Sequence, residues 1–146
     1  MRLLLLIPFL LIFGCKPTYN RINLDFISET EKQRVYDFGV RNLKSCITRE
    51  FIQLSRKEAT EELVTGITLE DMQHTCDVLD KRNGKFIDMK LIEIIDNYNT
   101  NSKIYRFKAN FQKNDFLNEV RIWVEKNGKF SGFVIREWKD AYIPSS

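Results

Sequence analysis

The stretch 91–138 predicts a sheet, and within it the run 103–111 alternates apolar and polar positions cleanly. Tyr105, Phe107, Ala109 and Phe111 alternate with Arg106, Lys108 and Asn110, which is the period of a half-buried strand. A polar loop follows at Gln112–Asp115. Two more β-rich runs flank Asn127-Gly128. Asn-Gly predicts a two-residue type I′ turn, because both central residues need positive φ. That turn pairs Ile122 with Phe133, Val120 with Ile135, Glu119 with Arg136 and Trp123 with Gly132. Pairing across Gln112–Asp115 gives Phe107–Val120, Tyr105–Ile122 and Lys108–Glu119. Pairing across the polar loop Asn97–Ser102 gives Ile94–Tyr105, Ile92–Phe107, Glu93–Arg106 and Asp96–Lys103. The three registers agree on which side chains share a face, and such consistency specifies a fold. The prediction is a four-stranded antiparallel meander with an apolar core face and a mostly ionic outer face. Arg106 opposite Arg121 is its one poor pair, which Glu93 and Glu119 are placed to share.

Helical spacing precedes the sheet. Ser28-Glu29-Thr30-Glu31 has the form of a capping box, and Val35, Phe38, Leu43 and Cys46 follow on one helical face. Residues 48–64 read as a second, less regular helix that Gly66 stops. Thr68-Leu69-Glu70-Asp71 starts a third, with Leu69, Met72, Cys76 and Leu79 apolar, and Asn83-Gly84 ends it before Lys85-Phe86 opens the first strand. Helices followed by a meander make an α+β domain with the helices on one face of the sheet.

The first fourteen residues carry one charge, Arg2, and then an apolar run from Leu3 to Phe13. This is the form of a signal peptide, and it is too short to span a bilayer. The run ends Ile12-Phe13-Gly14-Cys15, which resembles a bacterial lipoprotein lipobox with an unusual Phe13 in its middle place. The resemblance implies cleavage before Cys15 and a diacylglycerol on its sulfur. Two or three acyl chains, at about 0.8 kcal/mol per buried CH₂, would anchor the chain stably. Residues 15–25 then read as the lipidated cysteine and a tether, 26–140 as the domain and 141–146 as a tail.

Without Arg2 the chain has 22 basic and 20 acidic residues, interspersed, so nothing points to nucleic acid. The one histidine, His74, falls opposite the apolar face of its helix. With Cys15 lipidated, Cys46 and Cys76 remain on apolar helix faces. Two readings stand: a disulfide, permitted in an exported chain, or two buried thiols. Two cysteines without further ligands do not make a metal site, and no phosphate loop or hydrolase motif is present.

Helices, then Ile67-Thr68-Leu69-Glu70 leading an amphipathic helix, then Gly84-Lys85-Phe86 and strands to Trp138 resemble the small NTF2-like (cystatin-like) domains over residues 28–138. The resemblance implies a curved sheet and helices enclosing a cone that serves as ligand pocket, dimer surface or plain core. Function varies widely on that fold. An isomerase- or dehydratase-type enzyme would need an inward acid near Tyr105; the core face also offers Asp96, with Asp88 and Lys90 at the start of the first strand. A binding protein would use an apolar row on the outer face, Ile95, Ile104 and Trp123 with Phe130 and Val134, unless the tail Ala141-Tyr142-Ile143 covers it. The reading favoured is non-catalytic and without cofactor: a membrane-anchored envelope protein that binds a protein partner, a second copy or a small apolar ligand. An inhibitor or immunity-type role is the remaining alternative.

Overall fold

Three helices cover one face of a five-stranded antiparallel sheet in a computed structural model that describes residues 19–144 except 114 and 116. Cys15 and the apolar run before it lie outside the described residues. The sheet comprises β1 (Tyr19–Ile22), β2 (Phe86–Asn97), β3 (Ser102–Phe111), β4 (Asn118–Glu125) and β5 (Phe130–Glu137), in that order across it. The helices are α1 (Glu29–Thr48), α2 (Glu61–Gly66) and α3 (Leu69–Asn83).

Four strands were expected, and the fifth comes from the stretch read as tether. Tyr19–Ile22 pairs with β2, Tyr19 against Asn97 and Ile22 against Ile94. Four residues are too few to show a period, so the strand is silent in sequence. Its support is tertiary: the Arg21 guanidinium meets Glu93 at 2.7 Å, and Ile22 packs on the core.

The meander has the expected register over most of its length. Ile94–Tyr105–Ile122–Phe133 and Phe107–Val120–Ile135 run across β2 to β5 as apolar rows, and Trp123 lies over the bare backbone of Gly132. Two places differ. Leu91, not Ile92, opposes Phe107, because β2 bulges between Leu91 and Glu93. The Asn127-Gly128 turn is not type I′. Only Gly128 has positive φ, at 83°, and its N–H donates to Glu125 O at 2.9 Å. This is a type I turn closed by a left-handed glycine, which shifts the register by one. A bulge between Trp123 and Val124 shifts it back, so the pairs beyond it are those expected. Between the two irregularities the faces invert, and Phe130 turns to the helix side.

Helix starts follow their caps. Ser28 accepts from Glu31 N at 3.1 Å and Thr68 from Asp71 N at 3.1 Å. The α3 cap is reciprocal, with Asp71 accepting from the Thr68 N–H. The α1 cap is not, because the Glu31 carboxylate turns away to the sheet. The helix expected over 48–64 shortens to α2; its first part is irregular chain. Ala59 instead bridges to Phe130 beside β5, with Thr60 N donating to Phe130 O and Phe130 N to Glu58 O. These bonds to the sheet edge replace the helical ones.

The core lies between α1 and the sheet. Val35, Phe38 and Leu43 are buried against Ile94, Tyr105, Phe107, Val120 and Ile122. Phe38 stacks on Phe130 with ring centroids 3.8 Å apart. Gly39 sets how closely α1 approaches: a Cβ there would lie 2.5 Å from Met89 Cε and 2.9 Å from Ile122 Cδ1. Gly39→Val is therefore expected to destabilise by about 1–3 kcal/mol through overpacking. The check is a lower urea midpoint at unchanged slope.

Candidate functional site

The middle of the sheet's outer face is closed, beside a smaller cavity of about 440 Å³ bordered by Arg21, Glu93, Lys108 and Trp138. Arg106, Glu119 and Arg121 are each fully buried. Glu119 lies between the two arginines, accepting from Arg106 Nε and, at 2.5 Å, from Arg121 Nε. Glu93 takes a second Arg106 nitrogen. The remaining donors hold the tail: Arg106 Nη2 donates to Lys139 O and Arg121 Nη1 to Ile143 O, both at 2.7 Å. Trp138 lies over the Arg106 guanidinium at 4.4 Å and Tyr142 over that of Arg121 at 4.9 Å. Burial alone would raise the pKa of Glu119, but hydrogen bonds and charge from both arginines outweigh it and hold the carboxyl below its ordinary range.

This cover decides the candidate interface row. Ile95 and Ile104 are inaccessible, packed beneath Tyr142 with Tyr19 and Trp123 beside them. Phe130 belongs to the other face. Only Val134 is exposed and Trp123 partly so. Of the two readings of this row, the structure shows cover by the tail.

On the helix side, Tyr105 does have an acid beside it. Its hydroxyl donates to Glu31, and Lys103 Nζ reaches the same carboxylate at 2.9 Å. Burial and then the Glu31 bond push the Tyr105 pKa up. For Glu31, burial pushes upward, but the bonds from Tyr105 and Lys103 prevail and its pKa is lowered. Proton transfer near neutral pH needs a pKa near 7, and this pairing drives both groups away from it. Sequence alone missed the contact, because Glu31 already had a local role in the capping pattern. Asp96 is half buried at the strand end, opposite Lys103 in register. His74 is exposed. Among the described residues no cluster of His, Cys, Asp or Glu is placed to hold a metal, and no helix is long and apolar enough to cross a membrane.

More open space lies on the helix side. A cavity of about 840 Å³ lies between the helices and the β5 edge. Phe38 and Leu43 of α1, Phe51 and Leu54 of the irregular chain, and Leu63 and Val64 of α2 form part of its wall. Met72 and Leu79 of α3 and Phe133 and Ile135 of β5 complete the apolar lining. Cys46 and Cys76 join α1 to α3 by a disulfide on this wall, Cα atoms 5.0 Å apart. The cavity exists because Phe133 and Ile135 continue the core rows onto β5 but remain only half buried. Neither Tyr105 nor Asp96 lines it. Among the described residues its one carboxyl, Asp71, caps Thr68 through side-chain and backbone hydrogen bonds that lower its pKa. Arg56, the one cation among the described lining residues, pairs with Glu61 at 3.1 Å near solvent. Sequence showed these apolar residues as helix faces; that they oppose one another across a gap depends on the irregular path of 49–60.

No protein family, curated protein or solved structure matches the chain.

Proposed function

We propose that this chain is a lipid-anchored cell-envelope protein whose NTF2-like domain binds a small apolar ligand in the cavity between helices and β5, without acting on it chemically. The cavity carries the proposal. Its volume falls within the range of about 300–1,000 Å³ typical of small-molecule sites, and such sites combine an apolar lining with a few polar groups. Here the polar groups include Asn42, Arg56 and Thr75. An enzyme on the same fold needs an acid or base in the pocket poised near neutral pH; Asp71 is engaged as a cap, and the Glu31–Tyr105 pair is outside. The helices followed by a meander support the NTF2-like assignment, and the Ile12-Phe13-Gly14-Cys15 sequence supports the anchor.

The test is native mass spectrometry of the full chain released from membranes in mild detergent. A bound small molecule, extractable into organic solvent, is expected. Val64→Trp places an indole in the cavity and is expected to abolish that mass while the circular dichroism spectrum stays unchanged. A wild-type protein that neither carries a ligand nor takes up an apolar fluorophore would refute the binding role. Cys15→Ser is expected to move the protein from the membrane to the soluble fraction; retention in the membrane would refute the anchor.

A further inference from the structure

We infer that the end of the sheet formed by the β2–β3 loop and the β4–β5 turn is the surface that rests on the bilayer. This rests on the lipid-anchor reading above. Tyr19 opens β1 opposite Asn97, Asn97 faces Ser102, and Ser102 faces Glu125. The start of β1, the loop 98–101 and the turn 126–129 therefore share one end of the sheet. Cys15 is four residues before Tyr19. At no more than about 3.6 Å per residue, that length lets the Cα of Tyr19 stand at most about 14 Å from that of the lipidated cysteine. β1 is itself held in the sheet, so the tether brings the whole end with it.

The side chains there suit a headgroup layer. Tyr98 is 58% exposed at the tip of an otherwise polar loop, Asn97 to Ser102. Tyrosines favour the membrane–water interface, with the ring in the apolar boundary and the hydroxyl in water. Lys126 is exposed and Lys129 partly so, with Glu125 in the same turn and the half-buried Asp96 at the end of β2 as the acids beside them. Lysines near a surface are attracted to anionic headgroups, and their stems reach along it. A bilayer carrying phosphatidylglycerol is thus the partner this end fits. One lipidated residue alone leaves the domain free to tumble; a second contact fixes its orientation.

The experiment uses the full acylated chain in vesicles of phosphatidylethanolamine and phosphatidylglycerol containing a nitroxide-headgroup lipid. Asn99→Cys and, at the opposite end of the sheet, Lys113→Cys are each labelled with bimane. Quenching at position 99 is expected to exceed that at 113 several-fold, and Tyr98→Asp with Lys126→Glu to bring the ratio towards one. Equal quenching at both positions, with the protein still floating with the vesicles, would overturn the docking surface and leave the anchor standing. Failure of the wild-type chain to float would overturn the anchor, and the surface with it.

Discussion

Glu119→Gln is expected to destabilise the domain by about 3–5 kcal/mol, the usual consequence of removing one partner from a buried ion pair. Arg106 and Arg121 face each other across β3 and β4 with no exposure to solvent. In low dielectric their repulsion is tolerable only because one carboxylate serves both. A glutamine keeps the shape and removes the charge. The two guanidinium groups would then share Glu93 as their counterion, with one amide oxygen and two tail carbonyls as neutral acceptors. Urea unfolding measures the loss, and near-ultraviolet circular dichroism should show Trp138 and Tyr142 losing their fixed seats. Arg106→Met, Glu119→Leu and Arg121→Met together are expected to recover most of the stability, because well-packed apolar replacements of buried ion clusters are often neutral. A loss under about 1 kcal/mol for Glu119→Gln alone would mean that the cluster is not what holds this face closed.

The same cluster sets a pH dependence. The folded pKa of Glu119 is below its ordinary value of 4.5, so its contribution is complete above that pH. It is lost as pH falls through the lowered folded value. Glu31 has the same sign for its own reasons. Wild-type stability should therefore decline on acidification below about pH 4.5, the ordinary value of both carboxyls. Glu119→Gln should decline less steeply over the same interval. An equal slope in both proteins would place the titration elsewhere.

What the sequence revealed followed from strong local chemistry. The alternation at 103–111 fixed a strand, and the pairs Ile94–Tyr105–Ile122–Phe133 followed once the loops were placed. The exchange of Glu119 between two arginines was readable because like charges directly opposite demand a counterion. What stayed hidden depended on bulges and on partners distant in sequence. The bulge at Ile92 and the paired irregularities around the Asn127-Gly128 turn leave no mark in a hydrophobic pattern, yet they decide that Phe130 stacks on Phe38. β1 is too short for a period of its own. The cavity is the sharpest case: each of its walls reads as an ordinary core face, and only the path of residues 49–60 keeps those faces apart.

The Cys46–Cys76 bond spans 30 residues, and its removal by Cys46→Ala with Cys76→Ala is expected to lower stability by about 3–4 kcal/mol in the chain-entropy account. The native state gives a reason to expect more than a change in the unfolded chain. Within α3 only Cys76, Leu79 and Asn83 are buried, while Leu69 and Val78 remain exposed. Arg49 adds two ion pairs to α3, with Asp77 at 2.9 Å and Asp80 at 2.8 Å, at partly exposed positions where such pairs contribute little. The covalent bond is thus a principal tie between α3 and α1, and α3 is one wall of the cavity. Stability is measured by urea unfolding with and without dithiothreitol, the reduced wild type being expected to match the double variant. Uptake of an apolar fluorophore, measured on the same samples below the unfolding transition, separates two consequences. If stability and uptake fall together, the bond holds the cavity wall in place. If stability falls and uptake persists, α3 stays docked by Leu79 and its neighbours, and the bond acts mainly on the unfolded chain. A stability change under about 1 kcal/mol would refute both accounts.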